Sequence, residues 1–351
     1  MGKILDNIQK HLFIWILAAI FGGLAGVYFF GGYEFSTIIC VLAALLMIYP
    51  SLVPLSFYKL HHAFKHKKII MFSVGLNFIL SPALALIIGR LFLVGFPTLR
   101  LGLLLISLLP GGGMATTWAH KSKADMLTTL GIIFTNLAVA IVAVPFSISL
   151  ALEKWAFSST SAGPAVCAIS QATKGVLACG SATTTVSPLR IIGPIVIIII
   201  IPMILAYLTQ MLIKNKKGTE YFEKIKANFA KVSNLGLVVV LFVLMGLKEN
   251  SFLFNHAGWI LASIVPLMLF YGINILVALG VYKKFFRNAA GKAMVWGSYL
   301  RYITLALGLS ISFVYTDPAL VSMVIIVVLA YFIQIPSSFW LAEKLQEDKV
   351  N

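Results

Sequence analysis

Apolar runs closed by charge, Gly or Pro recur ten times along the chain, at about 12–31, 36–58, 69–95, 99–119, 126–152, 189–213, 233–248, 257–282, 290–315 and 318–342. Most reach the roughly 20 residues that a helix needs to cross the hydrocarbon core of a bilayer. The runs are apolar on all faces, so they carry none of the one-sided periodicity of a helix half-buried in a water-soluble domain. The pattern predicts an all-α, polytopic membrane protein with ten transmembrane helices. The first run starts after His11 and is followed by no small-residue cleavage site, which reads as a retained helix and not a signal peptide.

With 60% hydrophobic and 11% charged residues, the chain is excluded from the ordinary soluble class, where about 25% charged is usual, and from the disordered class. The net charge of +16 raises the question of nucleic acid, and its distribution answers it. With the N-terminus inside, the predicted cytoplasmic segments carry 20 Lys and Arg and the external ones six, with Arg301 lying within a span. That asymmetry is the positive-inside signature of a plasma-membrane protein with both termini cytoplasmic. It implies lipid as the partner and not nucleic acid.

Five spans fill 1–152, a poorly charged Ser/Thr/Gly-rich external stretch fills 153–188, and five more fill 189–351. Halves with an odd number of spans insert in opposite senses, as in transporters built from inverted repeats. No residue-level self-similarity supports the repeat, which rests on the span count and on two breaks.

The first break is Pro110-Gly111-Gly112-Gly113 in the fourth span. Gly costs about 1 kcal/mol and Pro about 3 kcal/mol in a helix interior, so the run predicts unwinding there. Unwound backbone at membrane depth belongs where protein buries it or a water-filled cavity meets it. The helix restarting at Met114 offers N–H groups that favour anionic or strongly polar ligands, with hydroxyls from Thr116 and Thr117 at the same level. A packing seam without ligand is the competing reading.

The matching interruption is Trp296-Gly297-Ser298-Tyr299-Leu300-Arg301-Tyr302 in the ninth span, with Gly297 as the breaking residue. An intramembrane arginine costs about 2.5–3.5 kcal/mol on insertion scales and marks a functional site by default. Two roles are open for Arg301: counter-charge to a solute, or structural donor to the carbonyls freed by unwinding. Asn77, Ser81 and Pro82 in the third span, Thr128, Thr135 and Asn136 in the fifth, and Asn274 in the eighth add polar groups. The candidate binding set is Gly111, Gly112, Gly113, Thr116, Asn77, Ser298 and Arg301.

All eleven carboxylates fall in loops or at helix ends, so proton or sodium coupling through a buried acid has no residue to use. Backbone carbonyls and hydroxyls at the breaks remain as sodium ligands, and the coupling ion, sodium or proton, stays open. Without a His or carboxylate inside the spans, an intramembrane enzyme lacks its nucleophile, base or metal set, and no cofactor is expected. His61, His62 and His66 lie among lysines with no acid nearby, which suits a lipid-facing loop better than a metal. Cys167 and Cys179 leave a disulfide open, and Cys40 reads as a packing residue.

The run from Pro110 through Met114, Trp118 and Lys123 to Asp125 resembles the fourth-helix motif of the bile acid/sodium symporter superfamily, especially its arsenite-efflux permease branch. Tyr49-Pro50, Asn77 with Pro82, and Ile201-Pro202 through Tyr207 look like that branch as well, and the resemblance spans about 45–310 apart from 156–188. It implies two inverted repeats of five helices, with the fourth and ninth broken and crossed at the substrate site. It also implies that helices 3–5 and 8–10 form a core moving against a panel of helices 1, 2, 6 and 7. Two positions depart from the pattern: Gly111 stands where the arsenite branch has a functional Cys, and Ser298 to Arg301 replace the ninth-helix Glu. Without a thiolate for a soft metalloid, and with a helix N-terminus facing an arginine, the site suits an anion better than arsenious acid or sodium. The expectation is therefore a secondary transporter of a small oxyanion or organic anion, with an arsenite or antimonite exporter and a non-transporting sensor as alternatives.

Overall fold

The computed structural model of the chain describes residues 7, 11–33, 42, 45, 46, 48–50, 52, 53, 66–112, 114–151, 188–246, 257–316 and 321–348. Its elements are helices: α1 Leu12–Phe30, α2 Lys67–Gly75, a π-helical turn Leu76–Leu80, α3 Ser81–Phe92, α4 Pro97–Leu108, α5 Met114–Lys121 and α6 Met126–Ala151, followed by α7 Pro188–Met245, α8 Ala257–Phe285, α9 Ala289–Tyr299, α10 Ile303–Thr316 and α11 Val321–Glu347. Among the described residues, four helical stretches are long and apolar enough to cross a membrane: Lys67–Phe92 (α2 to α3), Met126–Ile148, Gly258–Phe285 and Ser322–Glu347. The second predicted span lies largely outside the described residues, as do 153–187, His61, His62 and all three cysteines.

Local chemistry sets the ends. α1 stops where Gly31 adopts φ 73° and its N–H bonds back to Val27. Pro97 opens α4 at a position where a missing N–H costs nothing, and the Asn288 side chain caps α9 by accepting from the Gly291 N–H at 2.7 Å. Asp125 caps α6 through its carboxylate, accepting from the N–H groups of Leu127 and Thr128 at 3.2 Å each. The sixth and seventh predicted spans differ from expectation in their connection. Instead of a loop, α7 runs helically from one to the other, and only Gly218, at φ 83° and ψ 165°, interrupts it.

The two broken spans lie at the centre. All of α9 from Ala290 to Tyr299 is buried, and α4 is buried from Leu101 to Leu108. α11, α3 and α6 surround α4, while α8, α6, α2 and α5 surround α9. α1 packs along α7, and the second span is tied to α7 where the Gln210 amide donates to the Val53 carbonyl at 2.7 Å. Phe21, Tyr28, Phe92, Val142, Leu261 and Leu276 project outward, as an apolar solvent permits.

Candidate functional site at the crossing of two broken helices

The fourth span unwinds after Leu108 and the ninth after Tyr299, and the two unwound segments meet. Pro110 and Arg301 pair as a single antiparallel bridge, with the Tyr302 N–H donating to the Leu109 carbonyl at 2.9 Å. The glycines make this approach feasible. A Cβ on Gly111 would stand 3.0 Å from Cβ of Leu300, and one on Gly112 would stand 2.6 Å from the Tyr302 ring. Both glycines face the opposite break, and Gly113 lies outside the described residues.

The break in the ninth span is displaced from its expected residue. Gly297 is helical, and the extended segment is Leu300 to Tyr302. One interior glycine costs about 1 kcal/mol, too little to open a helix by itself. Its missing side chain serves packing, because a Cβ there would lie 2.2 Å from Cγ2 of Ile132.

Unwinding takes N–H groups away from carbonyls one turn back, and three of the freed carbonyls can be followed to new donors. The Arg301 N–H goes to Gln334 Oε1 at 2.9 Å, and Gln334 Nε2 returns a bond to the Arg301 carbonyl at 3.1 Å. Gly297, left without that N–H, accepts from Asn77 Nδ2 at 2.8 Å and Asn136 Nδ2 at 3.5 Å. The Tyr302 N–H is engaged by Leu109, so the Ser298 carbonyl accepts instead from Arg301 Nη2 at 2.7 Å. At the end of α4 the Ser107 carbonyl accepts from Arg301 Nη1 at 3.1 Å.

Arg301 is 1% exposed, and its guanidinium binds three side chains besides those two carbonyls. Nη1 donates to Asn77 Oδ1 at 2.9 Å, and Nη2 donates to Ser81 Oγ at 2.6 Å and Asn274 Oδ1 at 3.0 Å. The π-helical turn aims Asn77 and Ser81. Pro82 cannot donate to a carbonyl one turn back, the Ser81 N–H reaches Leu76, and the widened turn brings residues 77 and 81 toward Arg301. The ring of Phe270 lies 5.5 Å from Cζ. Every acceptor is neutral, and Nε has no acceptor among the described residues.

Of the expected set, Asn77, Ser298 and Arg301 come together directly, the Ser298 hydroxyl reaching Ser73 Oγ at 3.3 Å. Gly111 and Gly112 line the crossing, and half-buried Thr116 lies in the first turn of α5. Of the two roles open for Arg301, the geometry supplies the donor to freed carbonyls. Ser73, Ser107 and Gln334 were not foreseen; the readable signal was an amide two residues before Pro336 in an otherwise apolar run. The motif downstream of the break is structural as well. Trp118 stacks on Trp296 at 5.8 Å between centroids, and Trp296 Nε1 donates to Ser122 Oγ at 2.7 Å. Among the described residues, no group of three His, Cys, Asp or Glu gathers for a metal.

The sequence model of the sodium bile acid symporter family matches residues 41–254. The arsenical-resistance protein Acr3 of Alkaliphilus metalliredigens is 23% identical over 286 residues, covering 76% of this chain and 72% of its own. The protein of that name from Corynebacterium glutamicum is 24% identical over 257 residues, covering 68% of this chain, which spans 63% of that relative's length.

Proposed function

The chain belongs to the sodium bile acid symporter family, and on that footing we propose that it is a secondary transporter moving a small oxyanion or organic anion by alternating access. In this reading ten helices form two inverted repeats of five, 1–152 and 189–351, joined by the external segment 153–188, with both termini cytoplasmic in the plasma membrane. The crossed breaks are the solute site.

One observation carries the choice of an anion. The crossing holds a guanidinium bonded only to neutral oxygens, and the N-termini of α5 and α10 begin beside it. The negative ends of α4 and α9 hold the guanidinium itself, so what favours an anion nearby is a charge that no carboxylate among the described residues bonds, together with the two positive helix ends. Arg301 acts on the solute through its field, because its Nη groups are engaged by protein oxygens. Gly111, Gly112, Gly113 and Thr116 offer polar contact at the restart of α5, while Asn77 and Ser298 hold the arginine's surroundings.

The second reading, arsenite or antimonite export, is favoured by the names of the two relatives and opposed by Gly111, which offers no soft ligand. Uptake into vesicles reconstituted with the full chain separates them, with arsenite, antimonite, phosphate, sulfate, acetate and pyruvate as solutes. The anion reading expects saturable flux of one of the four anions and none of arsenite. Flux of arsenite or antimonite alone would replace it with the exporter, and flux of none would favour a non-transporting sensor.

A further inference from the structure

The family's name implies sodium as a co-substrate, and the crossing contains an oxygen set of the type a hard cation takes: two amide oxygens, one hydroxyl and two main-chain carbonyls. The carbonyls of Ser107 and Ser298 belong to the C-terminal turns of α4 and α9, the negative ends of two half-helices. Broken helices of transporters present such ends to coupling cations. Here all five oxygens are engaged by one arginine, at 2.6 to 3.1 Å. The set therefore does not fit a sodium ion while Arg301 is in place.

We propose that the guanidinium of Arg301 is the permanent, covalently tethered occupant of a cation cradle at the helix crossing, so that this carrier holds no dissociable sodium there. The cradle is oriented for a cation independently of the arginine. Asn77 donates its amide N–H to Gly297 and Asn274 donates its own to Phe270 at 2.7 Å, which leaves both amide oxygens facing Arg301. The Ser81 hydroxyl lies 2.9 Å from the Leu76 carbonyl and 2.7 Å from Asn274 Oδ1; donating to either turns its lone pairs to Nη2. No carboxylate among the described residues bonds the guanidinium, so the monovalent charge sits in a neutral cage as an alkali ion would.

A tethered charge cannot leave in either half of the transport cycle. No sodium gradient is then consumed, and any coupling must come from the solute's own charge or from an ion other than sodium. The inference holds for whatever solute is carried and needs family membership only to make sodium the ion of interest.

The test is thermal unfolding of the purified full chain in equal concentrations of sodium, potassium and choline chloride, for wild type, Arg301→Ala, and Arg301→Ala with Asn274→Leu. Wild type is expected to melt at one temperature in all three salts. Arg301→Ala is expected to melt several degrees lower and to be raised, saturably, by sodium or by methylguanidinium, neither of which moves wild type. The double variant is expected to lose that response. A sodium-specific stabilisation of wild type, or an Arg301→Ala protein that no cation stabilises, would overturn the proposal. Should Arg301→Ala not survive purification, Arg301→Lys and Arg301→Met distinguish charge from bulk. A cation cradle makes the lysine variant the more stable, and a methionine variant equal to or above it would rule the cradle out.

Discussion

The two breaks at the crossing solve the same backbone problem by opposite means. In the fourth span the chain removes side chains, so that Gly111 and Gly112 let a second backbone approach. In the ninth span it adds one of the largest and most polar side chains available and fastens it with hydrogen bonds to three other helices and the π-helical turn. The first break is local in origin, since Pro and Gly disfavour helix wherever they stand. The second is tertiary: Leu300, Arg301 and Tyr302 have no intrinsic reason to unwind, and stay extended because Gln334, Leu109 and the acceptors around the guanidinium replace the lost helical bonds. A polar residue in lipid can thus be the device that holds a helix open.

The largest effect belongs to Arg301→Met, which takes the guanidinium from five buried oxygens and leaves only Asn274 Oδ1 with another donor in reach, the Ser81 hydroxyl at 2.7 Å. Each orphaned group costs about 1–3 kcal/mol, so stability is expected to fall on the order of 5 kcal/mol and solute flux to vanish. Unfolding by denaturant and vesicle uptake measure the two, and a stable, active variant would make the arginine incidental.

Gln334→Leu removes the clamp on the Arg301 peptide while leaving the guanidinium. Two main-chain groups lose partners, so a loss of about 2–4 kcal/mol is expected, with flux reduced and no new response to sodium. Gly112→Ala comes next, at about 1–3 kcal/mol, because its Cβ meets the Tyr302 ring at 2.6 Å. Tyr302→Ala in the same chain is expected to restore part of that loss; no restoration would mean that the glycine serves something other than the close approach of the two breaks.

The smallest effect lies far from the crossing. Arg287 donates to the Asp348 carboxylate at 2.7 Å and holds it below its usual value of 3.8. A carboxylate with a depressed folded pKa stabilises above the unfolded value, and that contribution is lost as pH falls through the folded one. Asp348→Asn is therefore expected to flatten the acid limb of stability below about pH 4 and to leave flux unchanged, which melting curves across pH check.

The apolar runs were legible because length and hydrophobicity alone decide whether a segment can cross a bilayer, and α1, α6, α8 and α11 lie close to their expected positions. The Pro110 break was legible for its local chemistry, and Arg301 stood out as a charge in an apolar run. The exact point of unwinding in the ninth span was not, because Gly297 drew attention while the bonds that open the helix come from Gln334 and Leu109, distant in sequence. Ser73 and Ser107 escaped notice because serines are common in apolar helices, and their contribution depends on what faces them. The helical path across 214–232, broken only by the kink at Gly218, was hidden by its charge, which reads equally as a loop or as a solvated helix.

Charge movement reports whether the crossing carries a fixed positive charge that selects an anion and replaces a dissociable sodium ion. Wild-type protein in vesicles on a capacitive electrode is given a sudden step of phosphate, sulfate, acetate or pyruvate, once in sodium and once in choline. The account expects a saturable displacement of negative charge for at least one of these solutes, equal in the two salts and absent in Arg301→Met. A current that requires sodium and carries net positive charge inward would contradict it.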